Sequence, residues 1–154
     1  MNREILFRAK SIQTDRWISG YYFEDEDNKS YIGYMSKKRY IPDTRDWDIV
    51  EYYENNPTYN WVFVKEEVVP ETVGEYTGLT DKNGTKIFEG DILQVSYHGV
   101  EIGQVCIYYK HAMYLCDIIY GDIDFDTLGM LNANYQLDVI GNVYDNTELL
   151  DVEE

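Results

Sequence analysis

Residues 78–95 read GLTDKNGTKIFEGDILQV, and this stretch decides the fold. Asn83 and Gly84 predict a tight hairpin turn, because both residues tolerate the positive φ that such a turn requires. The Glu-Gly-Asp sequence at residues 89–91 predicts a second turn, and Ile92 then begins a strand rich in β-branched residues. A polar turn leading into an apolar strand is typical of small SH3-like β-barrels, which is an analogy of architecture and not of function.

The composition also favours β-structure. The chain has 154 residues, among them 16 Tyr, 3 Trp and 5 Phe, and aromatic side chains favour pleated, half-buried surfaces. Alanine, the best helix former, occurs only at positions 9, 112 and 133. We therefore expect an all-β, mostly antiparallel fold in which an N-terminal β-meander packs with a small C-terminal SH3-like β-barrel.

Local patterns place the individual elements. Alternating polar and apolar residues predict strands at 3–9, 17–23 and 30–35, which would form the meander. The apolar run at residues 61–64 predicts a buried strand. Two segments stay ambiguous, since residues 46–53 fit a helix or a strand and residues 128–134 fit a helix or a loop. Further strands are expected at residues 73–76, 92–95, 102–109, 114–120, 121–126 and 137–140.

The chain length allows one domain or two small ones packed together. A boundary is expected near Pro70, between an N-terminal subdomain, residues 1–69, with a variable insert, and the barrel subdomain, residues 70–150. Residues 151–154 are predicted to be a frayed acidic tail.

The net charge of −16 limits the possible partners. Affinity for nucleic acid comes largely from Lys and Arg meeting phosphates, so a conventional DNA-binding protein is disfavoured. An acidic surface could instead meet a basic partner, or occupy a basic groove as nucleic acid would. The simpler explanation is that the acidic surface keeps the protein soluble.

The sequence also predicts a cellular compartment. No N-terminal segment has the pattern of a signal peptide, and no apolar run approaches the roughly 18 residues of a membrane span. Cys106 and Cys116 are too few for a disulfide scaffold or a structural zinc site. The two cysteines flank the same predicted turn. They would lie on one face of this hairpin if its loop has an odd number of residues, and on opposite faces if the number is even. We expect a cytoplasmic protein without a cofactor.

One group of carboxylates could bind a metal ion. Asp122, Asp124 and Asp126 alternate with apolar residues, as in a strand with one polar face. A calcium-binding EF-hand loop would require Gly and Glu where Thr127 and Ala133 stand, so that motif fails. We interpret the three carboxylates as a solvated strand face, with a metal-dependent enzyme as the alternative.

No catalytic constellation is visible in the sequence. His98 and His111 fall in predicted turns, and either could in principle act as a base for Cys106. Catalysis would also require a third orienting group and a pocket, so exposed turn histidines are the simpler interpretation. We predict no catalytic residue and no metal ligand.

Adjacent tyrosines suggest an interaction surface. Neighbours in a strand face opposite ways, so one residue of each Tyr-Tyr pair should be exposed or at an interface. Such rings could also stack on single-stranded bases, or simply belong to a tyrosine-rich core. The candidate interaction surface comprises the tyrosine pairs and the three aspartates: Tyr21, Tyr22, Tyr52, Tyr53, Tyr108, Tyr109, Asp122, Asp124 and Asp126.

Three segments of the chain form a recognisable set, namely residues 3–9 with Trp17 and Gly20, residues 71–79 running into the opening stretch, and residues 139–146 with 148–150. Together they resemble the YopX family of phage and prophage proteins. The chain departs from the family at Lys10-Ser11, where members often carry an aromatic residue and an acid, and residues 31–69 are variable in the family.

The resemblance implies a phage-encoded, mostly β protein of the bacterial cytoplasm that forms a homo-oligomer. It provides no catalytic residues to transfer, because the family is uncharacterised. The leading hypothesis is an accessory protein without catalytic activity that acts by contact with copies of itself or with a host or phage protein. The alternatives are an acidic decoy of a host nucleic-acid-binding protein, a nucleic-acid-binding barrel, and a metal-dependent enzyme.

Overall fold

The computed structural model describes residues 2–151, which form ten strands and two short α-helices. The all-β, mostly antiparallel class is therefore confirmed. The elements in chain order are β1 (Phe7–Lys10), β2 (Trp17–Glu24), β3 (Ser30–Arg39), α1 (Trp47–Asn55), β4 (Tyr59–Glu67), β5 (Gly74–Thr80), β6 (Lys86–Phe88), β7 (Asp91–Tyr97), β8 (Val100–Lys110), β9 (Met113–Gly121), α2 (Leu128–Asn134) and β10 (Gln136–Asn142).

The first sheet has six strands in the order β4-β3-β2-β1-β5-β6. Strands β1 to β4 pair consecutively and antiparallel, so the predicted meander is confirmed. The first half of β2 pairs with β1, and its second half pairs with β3, beginning at Tyr21 opposite Gly33. Strands β3 and β4 therefore extend the sheet from the second half of β2, and β4 is its edge strand.

Residues 61–64 form a strand as predicted, but the prediction that this strand is buried is wrong. These residues do lie in a strand, but β4 is at the edge of the sheet. Trp61 is 63% exposed and Phe63 is 58% exposed. The run looked buried because it is continuously apolar, and that pattern cannot reveal whether a second layer covers the strand.

Both ambiguous segments contain helices. Residues 47–55 form α1, whose N-cap Asp46 accepts a hydrogen bond from the Asp48 backbone N–H at 3.0 Å. Thr127 caps α2 in the same way, accepting from the Met130 N–H. A side-chain oxygen at the N-cap satisfies one of the N–H groups that a helix start leaves unpaired. Across residues 2–151, neither helix is long and apolar enough to cross a bilayer.

The second sheet has four strands in the order β10-β7-β8-β9 and carries the main core. The middle of β8 alternates buried and half-buried residues, and α2 covers one side of the sheet with the buried Leu128 and Leu131. The core cluster contains ten buried residues, namely Ile87, Leu93, Val95, Val105, Ile107, Cys116, Ile123, Leu128, Leu131 and Leu137.

The prediction of a strand over residues 121–126 is wrong. Strand β9 ends at Gly121, where φ is +103°, and residues 122–126 form an irregular segment. This segment folds back along β9, because the Cys116 N–H donates to the Asp126 carbonyl at 2.8 Å. Burial nevertheless alternates as predicted, with Ile123 buried and the aspartates exposed. A loop that lies along a core can therefore show the period of a strand.

Strand pairing crosses the predicted boundary at residue 70. Strands β5 and β6 lie after this position and join the sheet of β1. Within residues 2–151 the strands form two open sheets. Strand pairing among these residues therefore does not close the second sheet into the predicted SH3-like barrel. The division into residues 1–69 and 70–150 stays a prediction. The predicted tail lies outside the described residues except for Asp151.

Candidate functional site

The buried residue Asp91 connects the two sheets. It ends the Glu-Gly-Asp turn, starts β7 and is 1% exposed. Its Oδ1 accepts from Arg8 Nη2 at 2.5 Å, and its Oδ2 accepts from the Phe88 backbone N–H at 2.8 Å. Burial raises the pKa of the Asp91 carboxyl, and the Arg8 charge and the Phe88 N–H oppose this shift.

Arg8 lies between two aromatic rings. Its Cζ is 4.7 Å from the centroid of the Trp17 ring and 4.8 Å from that of Phe88. A guanidinium between aromatic faces keeps favourable contacts after losing water, which is why arginine suits a buried ion pair. The pair therefore fixes β1 of the six-stranded sheet against β7 of the four-stranded sheet.

Asp145, after β10, makes a second link to the same region. Lys10 Nζ lies 2.6 Å from Asp145 Oδ1, and Trp17 Nε1 donates to Asp145 Oδ2 at 2.6 Å. These hydrogen bonds, from Lys10 first and Trp17 second, lower the pKa of the Asp145 carboxyl to about 2. The Tyr144 ring lies 5.9 Å from the Trp17 ring.

These contacts form a structural junction. The three sequence segments that carry the resemblance to the YopX family meet at Arg8, Asp91 and Asp145. The Asp91 carboxylate is almost completely buried and its oxygens are occupied, so a substrate cannot reach it. The Glu-Gly-Asp turn thus has the role of joining the sheets.

The Asn83-Gly84 turn is also structural. The Gly84 N–H donates to the Asp81 carbonyl at 3.0 Å, and of the two turn residues only Gly84 has positive φ, at +81°. Buried Asp81 accepts from the backbone N–H groups of Asn83, Thr85 and Val139 at 2.8 to 3.0 Å. Burial raises the pKa of Asp81, but these three donors outweigh burial and lower it overall. A turn forms at Asn83-Gly84 as predicted, but the tight hairpin is wrong, because Thr80 pairs with Lys86 and five residues connect β5 and β6. Asp81 ties this loop to β10.

The most prominent surface feature is one side of β2, β3 and β4, which we call the aromatic face. The register pairs Met35 with Phe63 and Lys37 with Trp61, so these side chains share one side of the sheet. Five apolar members are more than half exposed. The aromatic face comprises Tyr21, Met35, Lys37, Tyr59, Trp61 and Phe63.

Gly33 sits beneath the aromatic face. A Cβ atom at this position would lie 2.3 Å from the Phe63 ring, so the ring covers the glycine backbone. Gly33 is opposite both Tyr21 and Lys65, which places Tyr21 on the same side as Phe63. The absence of a side chain at Gly33 lets the Phe63 ring lie close to the sheet.

Basic side chains accompany these rings. Lys37 Nζ is 5.8 Å from the ring centroids of both Tyr59 and Trp61. Lys65 Nζ is 4.7 Å from the Tyr31 ring, at the inner end of the same side. The chain has 13 Lys and Arg against 29 Asp and Glu, so this combination of rings and cations contrasts with the overall acidity.

The predicted interaction residues do not form one surface. Tyr21 and Tyr22 lie on β2, Tyr52 and Tyr53 on α1, and Tyr108 and Tyr109 on β8 of the other sheet. The aspartates Asp122, Asp124 and Asp126 project from the segment after β9. Of the nine residues, Tyr21 alone belongs to the aromatic face. A role in interaction stays a prediction for all nine.

The expected exposure of the tyrosine pairs is confirmed. One member of each pair is largely exposed, namely Tyr21 at 66%, Tyr52 at 61% and Tyr109 at 50%. Their neighbours are half-buried. The Tyr22 hydroxyl donates to Glu24 Oε1 at 2.5 Å, and this hydrogen bond raises the Tyr22 pKa. Because Tyr52 and Tyr53 lie on a helix, strand alternation is not the cause in that pair.

Sequence reasoning missed Tyr59, Trp61 and Phe63. A signal was present, since the three aromatics alternate with Asn60, Val62 and Val64 at the period of a strand. The alternation indicates that the rings share one side of β4. It does not indicate whether that side faces a core or the solvent.

The cysteines are not a reactive pair. The turn between β8 and β9 has two residues, so the loop is even and Cys106 and Cys116 are out of register, opposite Asp117 and Ile107 respectively. Burial raises the pKa of the Cys116 thiol to about 12. Within residues 2–151, no three His, Cys, Asp or Glu side chains lie together in a way that could hold a metal ion.

Comparison with known proteins identifies the family. The model of the YopX protein family matches residues 6–151, so the chain belongs to this family. The fold is similar to the crystal structure of protein EF1440 from Enterococcus faecalis, with 23% sequence identity and a TM-score of 0.56. That similarity covers 97% of this chain and 100% of the other. None of the curated proteins matches.

Proposed function

We propose that this member of the YopX family is a phage accessory protein of the bacterial cytoplasm, without catalytic activity, that assembles with copies of itself through the aromatic face. The observation that carries the proposal is the exposure of large apolar side chains on one side of a sheet. Tyr59 is 52% exposed, Trp61 63% and Phe63 58%, and all three lie on the edge strand β4.

The edge of the sheet supports assembly. Strand β4 pairs with β3 on one side, and no strand pairs with its other side within residues 2–151. Unpaired edge strands present N–H and C=O groups that can pair with another chain. Aromatic side chains grouped beside such an edge are typical of protein interfaces, where Trp and Tyr supply much of the binding free energy.

Charge favours a second copy as the occupant. The aromatic face includes Lys37, and Lys38, Arg39 and Lys65 lie on the same two strands. With a net charge of −16, another copy carries a large excess of negative side chains. Complementary charge speeds association and fixes orientation. A contact between unlike surfaces would close into a ring or extend into a filament.

The test is the molar mass of the native protein by size-exclusion chromatography with light scattering. We expect the wild type at micromolar concentration to exceed the monomer mass of 18.2 kDa, and Trp61→Ser with Phe63→Ser to shift it toward the monomer. Trp47→Ser is the matched control, because Trp47 is 81% exposed but lies on α1. A monomeric wild type would refute assembly.

A second candidate function is binding of single-stranded nucleic acid on the same surface. The observation that favours it is the interleaving of Lys37 and Lys65 with aromatic rings at 4.7 to 5.8 Å. Rings stack on bases and cations meet phosphates in such sites. The overall acidity opposes this function, so we rank it second.

Fluorescence anisotropy with a short oligothymidine separates the two candidates. Binding through Lys37 and Lys65 would weaken with salt, with a log–log slope of roughly −0.7 for each phosphate contacted. Lys37→Glu should then abolish binding of the oligothymidine. If the wild type shows no salt-sensitive binding, the nucleic-acid candidate is rejected and assembly is unaffected.

The acidic decoy and the metal-dependent enzyme stay predictions of lower rank. Asp122, Asp124 and Asp126 are exposed on one irregular segment, which is short compared with a mimic of a nucleic-acid backbone. A pull-down from host lysate that recovers a nucleic-acid-binding protein would favour the decoy.

A further inference from the structure

A second aromatic site lies on the four-stranded sheet, remote in the chain from the aromatic face. Its cavity has a volume of about 350 Å³. Small-ligand sites commonly occupy about 300–1,000 Å³. The wall is formed by the ends of β7 and α2, the start of β8 and the segment after β9. We call it the aromatic pocket, lined by Tyr97, Ile102, Asp124, Phe125, Asn134 and Tyr135.

Three rings of the aromatic pocket are mutually inclined. The Tyr135 ring lies 6.0 Å from that of Tyr97 at an interplanar angle of 76°, and 5.9 Å from that of Phe125 at 60°. Phe125 and Tyr135 also pack on the main core, which fixes their positions. His98 packs against Tyr97, with ring centroids 4.2 Å apart. Inclined rings around one cavity can direct several π faces toward a single guest.

The charged group of the aromatic pocket is a carboxylate. Asp124 supplies an exposed carboxylate, and no Lys or Arg is among the lining residues. Asn134 Nδ2 donates to the Met130 carbonyl at 2.8 Å, so one of its two N–H groups is already used within α2. A negative carboxylate beside electron-rich ring faces favours a cation and disfavours an anion.

The chemistry selects the class of cation. A hard metal ion such as Ca²⁺ takes six or more oxygen ligands, and this cavity offers one carboxylate. Ring faces instead attract a diffuse organic cation, for which aromatic cages are the recurrent solution. We propose that the aromatic pocket binds an alkylammonium head group, either of a free small molecule or of a lysine side chain. This site is separate from the proposed assembly surface.

The experiment compares a cation with a neutral molecule of the same shape. Choline and 3,3-dimethyl-1-butanol are titrated into the full-length protein, and chemical shifts of the Tyr97 and Tyr135 rings are followed by NMR. We expect saturable shifts with choline and at least roughly tenfold weaker binding of the neutral alcohol, since the cation–π term is absent. Equal binding of the two probes would overturn the proposal.

Variants locate the site. Asp124→Asn keeps the shape and should weaken choline binding roughly threefold, as expected for an exposed charge. Tyr97→Leu removes one ring at a half-exposed position and should weaken binding about tenfold. Asp122→Asn is the matched control, because Asp122 is an exposed neighbour outside the cavity wall. Equal losses in Asp122→Asn and Asp124→Asn would place binding elsewhere and contradict the proposal.

A further comparison distinguishes the source of the head group. Binding of a lysine-containing peptide tighter than that of choline indicates a side chain of a partner protein, and the reverse indicates a free methylated ammonium compound. Binding of neither overturns the proposal. Light scattering on Asp124→Asn keeps the two hypotheses distinguishable, since this substitution should leave the molar mass unchanged even if the ligand site fails.

Discussion

The two sheets use similar amino acids for opposite purposes. The core of the four-stranded sheet is a cluster of ten buried residues, of which nine come from this sheet, α2 and the segment after β9, and one, Ile87, comes from β6. The corresponding cluster of the six-stranded sheet has only Ala9, Ile32 and Val68 fully buried. Beyond Gly33, the strands β3 and β4 carry Met35, Trp61 and Phe63 into the solvent.

This difference shows that apolar content alone does not locate a core. A strand contributes to stability when a second layer covers its apolar side, as α2 covers part of the four-stranded sheet. Where no layer is present, the same residues form an exposed surface suited to a partner. The Arg8–Asp91 ion pair connects the two sheets, since Arg8 lies on β1 and Asp91 on β7.

The largest expected effect is at this junction. Arg8→Met leaves Asp91 buried without its partner, and we expect a loss of about 3–5 kcal/mol in the free energy of unfolding. Arg3→Met is the control, because the Arg3–Glu75 pair is exposed and should contribute less than about 1 kcal/mol. Urea denaturation measures both variants. Similar losses would mean that the junction does not connect the sheets.

The next effect contrasts the two sheets directly. Leu93→Ala, in the core of the four-stranded sheet, should lower the free energy of unfolding by about 3 kcal/mol, because it creates a cavity. Phe63→Ala, on the aromatic face, should change it by no more than about 0.5 kcal/mol, as at other exposed positions. Both variants are measured at submicromolar protein concentration, so that loss of assembly does not contribute to the change in free energy of unfolding of Phe63→Ala. A large loss for Phe63→Ala would indicate a covered surface.

A smaller effect is expected at Gly90 in the Glu-Gly-Asp turn. Gly90 has φ of +89°, and an added Cβ would lie 3.0 Å from the Tyr144 ring. Gly90→Ala should cost about 1–2 kcal/mol for the left-handed backbone and more for the displaced ring. Gly84→Ala is matched, since φ there is +81° with open space around it. Thermal unfolding should show the greater destabilisation for Gly90→Ala. Equal destabilisation of the two variants would mean that the contact with the Tyr144 ring adds no cost.

The smallest effect is a dependence on pH. The pKa of Asp145 is lowered from 3.8 to about 2, so its folded form holds a proton less readily than the unfolded chain does. The stabilisation is therefore present above pH 4 and is lost as the pH falls from about 4 to 2. The difference in stability between wild type and Asp145→Asn should shrink over this interval. A difference that is constant with pH would contradict the assigned hydrogen bonds.

Local features were predictable because they depend on neighbours in the chain. The turns at Gly84 and Gly90, the meander and the exposure of one tyrosine in the two pairs that lie on strands follow from backbone preference and strand period. The strand predicted at residues 121–126 failed because a loop packed on a core can show the same alternation. The buried strand predicted at 61–64 failed because burial depends on a second layer, which no local pattern encodes.

The candidate sites were harder to predict than the fold. Tyr97, Phe125 and Tyr135 are separated by 28 and 10 positions in the chain and carry no shared motif. They meet because β7, the segment after β9 and the end of α2 adjoin at one cavity. The aromatic face is similar, since its members come from three strands that only the register brings onto one side.

The sequence by itself determined the family, the β class and the turns of residues 78–95, because these depend on residue identity and on short-range backbone geometry. Only the tertiary structure decided that the Glu-Gly-Asp carboxylate reaches Arg8, more than eighty residues away, and that the aromatics of β4 face solvent. The physical reason is that burial and long-range pairing depend on which surfaces meet after the chain folds. A pattern within one strand contains no information about its covering layer.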